Sequence, residues 1–314
     1  MNAAVASADV HLFAPRPALL VGGTSPMTTT AGRNAPAGAT VHYLLRAAPD
    51  SAAAVKLEFL DAGGRVLRTY TRAVPGAPAP ARGVIPLRPV AGLNAFQWDL
   101  RAEPPTALPG NINIWGGPAS GYRVAPGRYQ ARLTVGSVVR TQPLEVRQDP
   151  RITTAPADIA TRDSVARAVN TRINEIHDAL LQLRDVKDQV TRFVDRSKET
   201  PAAATIAAKG KEITTKVEGL EPQLSTRAAN GQDVINYRNG INAQYAFLLG
   251  NVEGADVVTT PSRERLAELE RMWMALRAQV DAVVTTDVPA FNRLLTDSGT
   301  AGVIVPAKRP RLVM

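Results

Sequence analysis

Few residue types in this chain could do covalent or acid–base chemistry, and they are scattered. Cysteine is absent, which excludes disulfides, thiolate metal sites and thiol nucleophiles. His11, His42 and His177 lie far apart without ligand spacing, so no metal centre and no cofactor is expected. Gly22-Gly23-Thr24-Ser25 lacks the lysine that a phosphate-binding loop needs, and Gly210-Lys211 lies within a helical pattern with no glycine loop before it. Neither G-x-S-x-G nor H-E-x-x-H occurs. Glu175-Ile176-His177-Asp178 gathers ionisable groups within one helical turn, but consecutive helical residues point in different directions. A solvated helix face is therefore expected there. Asp99 and Glu103 could form the carboxylate pair of a glycoside hydrolase, yet nothing places them across a cleft. Asp99 is expected to end a strand and bond locally. No catalytic residue is assigned.

Aromatic side chains are the remaining candidates, because exposed rings serve as stacking platforms for sugars. Trp98 follows the alternation of a strand, and Trp273 has helical spacing with Leu269 and Leu276; both are expected in the core. Trp115 lies in the loop-like run Asn111-Ile112-Asn113-Ile114-Trp115-Gly116-Gly117, and Tyr122 follows shortly. Trp115 and Tyr122 are the candidate binding residues.

The formal net charge of +9 raises nucleic acid as a partner. Residues 1–150 hold 15 Lys+Arg against 8 Asp+Glu, and residues 151–314 hold 22 against 20, so the excess sits in the first half. It is spread singly, as at Arg65, Arg68 and Arg72, until Lys308-Arg309-Pro310-Arg311. Nucleic-acid binders concentrate charge on one face, so no nucleic-acid partner is expected. No stretch approaches the ~20 apolar residues that span a bilayer. The first residues lack a basic and then apolar signal pattern. The chain is thus expected either to be cytoplasmic, if Met1 is a true start, or to be a piece of a longer exported protein.

Proline divides the elements that must position these groups. Residues 1–150 carry 17 of the 24 prolines, which predicts strands and turns first and helices after. With 45% hydrophobic residues, both halves have material for a core. Val55, Leu57 and Phe59 alternate, Asp61-Ala62-Gly63-Gly64 supplies a turn, and residues 65–70 follow as a partner strand. Residues 41–46, 92–100, 128–135 and 138–146 read as further strands. About seven short strands predict a β-sandwich of immunoglobulin or fibronectin type III character over 37–148, after an extended lead-in at 1–36. Residues 149–156 are the linker. An α-helical bundle is predicted over 157–297 and a tail over 298–314, giving an α+β chain of two domains.

Within the second half, Ala166, Val169, Ile173, Ile176, Leu180, Leu183, Val190 and Val194 form a helical seam that skips Lys187. That helix, about 157–198, would be roughly 60 Å long. Further helices are predicted over about 202–224, 233–252 and from 262 through Val283, with a short final one opened by Asp287-Val288-Pro289. Gly210 and Gly219 are soft spots in the second. Four helices joined by polar loops predict an antiparallel four-helix bundle.

Several runs carry a family resemblance. They are Asp9-Val10-His11-Leu12-Phe13-Ala14-Pro15-Arg16, Gly92 to Arg101 (GLNAFQWDLR), Trp115-Gly116-Gly117, Ala125 to Val135 (APGRYQARLTV), Gln148-Asp149-Pro150-Arg151, Ile235-Asn236-Tyr237 with Ile241-Asn242, and Thr286 to Asn292 (TDVPAFN). In this order they resemble the C-terminal region of large bacterial exported β-propeller proteins of the BNR-repeat, sortilin-like or "glycosyl hydrolase" kind. Arg238-Asn239-Gly240 departs from the proline-containing segment of some members. The propeller's S-x-D-x-G-x-T-W box is missing here, so the hydrolase label that rests on it brings no catalytic residue to this chain. The resemblance implies an extracytoplasmic, non-catalytic structural or interaction module whose partner is a β-propeller domain of the same or a neighbouring chain. The alternative is a carbohydrate-binding accessory module of a sialidase-like glycosidase, using Trp115 and Tyr122 on a glycan.

Overall fold

The computed structural model describes residues 5, 7–21, 37–73, 85–109, 120–225 and 239–299. The chain is α+β. The described residues fall into two compact units: one holds those up to Glu103 and from Ser120 to Asp163, the other Pro104 to Pro109 and Ser164 onward.

The first unit contains eight described strands: β1 (Val10–Leu12), β2 (Ala18–Leu20), β3 (Ala39–Leu45), β4 (Val55–Asp61), β5 (Val66–Thr71), β6 (Gly92–Trp98), β7 (Gly127–Val135) and β8 (Val138–Gln148). They form two sheets, in the orders β1-β3-β6 and β2-β8-β7-β4-β5. All pairings are antiparallel except β2 with β8. Strands β1 and β2 lie in the segment read from sequence as an extended lead-in. Three residues each is too short for alternation to register, and the sheets supply their partners.

The β4–β5 hairpin forms where expected. Asp61 Oδ1 accepts from the backbone N–H of Gly63 and Arg65, and Gly64 takes φ +82°, a conformation that costs glycine little. Inward-facing rings of the two sheets meet. Phe59 of β4 stacks on Trp98 of β6 with centroids 4.2 Å apart, Tyr70 meets Phe96 at 4.5 Å, and Tyr129 meets Trp98 edge-on at 6.0 Å. The expectation that Trp98 belongs to the core holds, since it is fully buried.

After β6 the backbone ties a knot. Trp98 Nε1 donates to Arg101 O at 2.9 Å, Arg101 N donates to Asp99 Oδ1, and Arg101 Nη1 donates to Gly121 O at 2.7 Å. Ala102 N reaches Tyr122 O, and Val124 N reaches Leu100 O. These bonds hold Leu100 at φ +60°, where a branched side chain costs roughly 1–2 kcal/mol. Asp99 thus bonds locally, as its strand-end position suggested. Gly121 sits so close that an added Cβ would lie 1.9 Å from Ala102 O.

The second unit has α1 (Pro156–Arg196, beginning in the first unit), α2 (Ala203–Leu224), α3 (Ile241–Gly254), α4 (Thr260–Ala282), a π-helical turn (Val283–Asp287) and α5 (Val288–Asp297). The predicted seam of α1 is buried from Ala166 to Val190. Val186 fills the turn skipped at Lys187, while Val194 is only half-buried. Helix α2 ends as Pro222 enters its last turn and Ser225 turns extended. Gly210 is not a soft spot but a contact point: a Cβ there would come 2.4 Å from Val194 Cγ2.

Helix α3 starts at Ile241, after an extended Gly240, so the helix expected over 233–252 is not continuous. Its expected start near Asp233 falls within residues 226–238, which lie outside the described residues. Helices α4 and α5 are continuous through the π turn, where the sequence suggested a fresh start. Pro289 lacks an N–H and its ring crowds the carbonyl four residues back, and the wider turn makes room: Val288 N–H bonds Val283 O. Thr259 caps α4, its hydroxyl accepting from Ser262 N. Among the described residues, no helix is long and apolar enough to cross a membrane.

The knot yields a test. Gly121→Ala should force backbone atoms apart and lower the unfolding free energy by about 2 kcal/mol or more. Urea unfolding followed by near-UV circular dichroism measures it, and unchanged stability would contradict the close approach.

Candidate functional site

A polar cluster in the helical unit surrounds the one ionisable group that α1 buries deeply. His177 is 4% exposed. It shares its helix face with Asn170 and Asn174, both buried, at spacings of three and four residues beside the apolar seam. A solvated face had been expected for Glu175 to Asp178, and His177 overturns this: the turn points its imidazole inward, leaving Glu175 and Asp178 toward its edges.

Three segments converge on the ring. Residues 104–109 lack regular structure and lie along α1. Thr106 N donates to Asn174 Oδ1 at 2.8 Å, and Thr106 Oγ1 is 2.9 Å from Asp178 Oδ1. Thr106 O lies 2.6 Å from His177 Nδ1. A carbonyl only accepts, so Nδ1 carries the proton and Nε2 is left as an acceptor. Asn242, fully buried in the first turn of α3, fills that acceptor: its Nδ2 lies 3.1 Å from His177 Nε2 and donates to Ser225 Oγ at 3.0 Å. Its Oδ1 accepts from Ala243 N at 2.7 Å. Both amide protons and the amide oxygen are therefore in use.

Ser225, just past α2, reaches this point because Gly240 lets the chain pass close; a Cβ on Gly240 would lie 2.6 Å from Ser225 Cα. Arg184, two turns beyond His177, donates from Nε to Glu221 Oε1 at 2.8 Å and from Nη1 to Pro109 O at 3.4 Å. Burial holds the His177 imidazole below its ordinary value. The Thr106 carbonyl and the Asp178 charge pull it upward, and Arg184 pushes it further down.

Chemically, this is a saturated clasp. A serine hydrolase needs its hydroxyl on the imidazole, but here the Asn242 amide stands between Ser225 and His177. Ser225 is 2% exposed. Each group that could act as base or nucleophile is occupied by a neighbour.

A second network joins α1, α3 and α4. Arg172 Nε lies 2.9 Å from both oxygens of Glu270, and its Nη1 is 2.8 Å from Glu175 Oε2. Tyr245 OH donates to Glu270 Oε1, and Trp273 Nε1 to Glu175 Oε2. Burial, then the Glu270 charge, pushes the Tyr245 phenol up. Trp273 is core, as its spacing indicated. Beside this network, an open groove of about 690 Å³ lies between α3 and α4. Phe247 on its wall is half-exposed, and Arg265 there bonds Gln244 and Glu268.

Of the binding candidates, Trp115 lies outside the described residues. Tyr122 is described and buried, 6% exposed, in the knot of the first unit. Asp99 and Glu103 both border the buried Arg68 and Tyr70. Glu103 Oε1 is 3.6 Å from Arg68 Nη1, and Tyr70 OH lies 3.5 Å from Asp99 Oδ1. Among the described residues no group of three or more His, Asp or Glu side chains is placed to hold a metal ion. Sequence reasoning missed Thr106, Asn174 and Ser225. The spacing of Asn174 and His177 was the available signal, since polar residues recurring beside an apolar seam call for partners; Asn170, on the same face, leaves its Oδ1 without one among the described residues. Compared with models of protein families, with curated proteins and with solved structures, the chain matches none.

Asn242→Ala should leave His177 Nε2 and Ser225 Oγ buried with one partner fewer each. The expected loss is about 1–3 kcal/mol, read by urea denaturation, and a change within error would mean that the clasp holds nothing.

Proposed function

We propose that this chain is a non-catalytic structural and interaction module. In this reading it is the C-terminal accessory region of an exported, BNR-type β-propeller protein, with an immunoglobulin or fibronectin type III-like sandwich followed by an antiparallel four-helix bundle. The observation that carries the non-catalytic reading is the His177 clasp. Its imidazole, amide and hydroxyl are spent on one another and on the backbone of residues 104–109 and 243, the use expected of groups that hold a fold together. The Arg172 network supports it in the same way, binding two carboxylates and a phenol between three helices.

The link to a propeller rests on the resemblance of the motif runs. The W-D-L-R run makes the knot after β6, and Ile241-Asn242 starts α3 and supplies the clasp. Both are motifs with demanding structural jobs, which fits a module defined by its architecture. The extracytoplasmic setting belongs to the same reading.

The test is binding. The full chain, immobilised, should retain a purified β-propeller domain encoded beside it, at a Kd of micromolar or tighter, in buffer of physiological salt. Absence of binding would remove the propeller partner. A glycan array run in parallel addresses the alternative: a hit abolished by Trp115→Ala would favour the carbohydrate-binding accessory module instead.

A further inference from the structure

His177 sits where a single proton changes the hydrogen-bond arithmetic of three segments. In the neutral ring, Nδ1–H donates to Thr106 O and Nε2 accepts from Asn242 Nδ2. A proton on Nε2 makes both ring nitrogens donors. The Asn242 Nδ2–H and the new Nε2–H would then point at each other. Rotating the amide does not rescue the contact. It would bring Oδ1 to the ring, but it would set Nδ2 against Ala243 N, whose bond to Oδ1 is the shortest at this residue. The ring is buried, so water cannot take the surplus proton's place in the network.

We propose that His177 is the pin of an acid-released clasp: protonating it expels the Asn242 amide and loosens residues 104–109 and the Ser225–Asn242 junction from α1. The charges around the ring set how readily this happens. On α1 itself, Asp178 favours the proton and Arg184 opposes it. Arg184 is held by Glu221 of α2. From residues 104–109 and from the start of α3 the described groups that meet the ring are uncharged, the Thr106 carbonyl and the Asn242 amide. Burial keeps the imidazole below its ordinary value. The sign follows: the opened state binds the proton more readily than the closed one, so the clasp is at full strength above about pH 6.5 and weakens as pH falls below it.

Hydrogen exchange of the full-length protein at pH 7.5, 6.5 and 5.5, corrected for intrinsic rates, tests this. The amides of Thr106 and Ala243 are the reporters: Thr106 N donates to Asn174 Oδ1, and Ala243 N to Asn242 Oδ1 as well as to Gly240 O at 3.1 Å, so the larger loss is expected at Thr106. Their protection should fall by up to about tenfold per pH unit below 6.5, while the amides of β3 and β7 keep theirs. In His177→Gln the amide side chain donates and accepts as the neutral ring does, so protection there should not change with pH. His11 and His42 remain in both proteins, and the difference between them isolates His177. Asn242→Asp provides the second arm. Its carboxylate accepts from the protonated ring, so the acid loss should vanish or reverse. The proposal is overturned if wild-type protection at Thr106 and Ala243 is flat with pH. It is equally overturned if His177→Gln loses protection as the wild type does, or if Asn242→Asp retains the wild-type acid loss.

Discussion

A buried imidazole between a carbonyl and an amide is the constraint on which the helical unit turns. Burying polar groups is unfavourable unless each finds a partner, and α1 buries Asn170, Asn174 and His177 among its apolar positions. Helices alone do not satisfy them. For Asn174 and His177 the partners come from Thr106 and from Asn242 at the opening of α3, which Ser225 just beyond α2 holds in turn, while the Asn170 Oδ1 has none among the described residues. The sites where helices stop and start are therefore tied to one ring on α1. Gly240 is part of the same requirement, because a side chain there would hold Ser225 away from Asn242.

The first unit solves a related problem at a strained stretch of backbone, with side chains and backbone together. At the end of β6, Leu100 is both buried and left-handed. Such strain persists only where surrounding bonds over-determine it. Here an indole N–H, a carboxylate and two backbone bonds do so. The W-D-L-R order explains itself: Trp98 supplies both the inter-sheet stack and the donor to Arg101 O, Asp99 receives Arg101 N, and Arg101 reaches across to Gly121 O. Glu58 is a smaller case. Burial pushes its carboxyl up, but Arg132 and Lys56 outweigh that and hold it below the ordinary value.

Much of this architecture was legible from local pattern. Strands β3 to β8 follow alternation and turn chemistry, and the α1 seam follows its spacing almost residue for residue. The misses share a physical cause. β1 and β2 are three residues long, and pairing with β3 and β8 is what makes them strands. The start of α3 depends on how closely Gly240 approaches Ser225, a distance no propensity encodes. Pro289 reads as a helix start in isolation, yet a continuous helix tolerates it by widening one turn. His177 looked solvated because consecutive helical residues point in different directions and no second histidine lies a turn away. Its actual neighbours are Thr106 and Asn242, 71 and 65 residues away in the chain.

The two polar networks of the helical unit respond differently to their surroundings, and the difference is one of ionisation. Arg172, Glu175 and Glu270 pair opposite charges and are partly exposed, so salt screens them. At the centre of the His177 clasp the imidazole and the Asn242 amide are neutral and buried, with Asp178 and Arg184 at the rim. Screening by salt does not reach that centre, and its one vulnerability is a proton arriving at Nε2. Stability within a single unit is thus divided between a network governed by ionic strength and one governed at its centre by acidity. The second holds Thr106 through His177 and Asn174, while the charged Asp178 and Arg184 bind Thr106 and Pro109 from its rim, so the anchoring of residues 104–109 answers to acidity at the ring and to ionic strength at the rim.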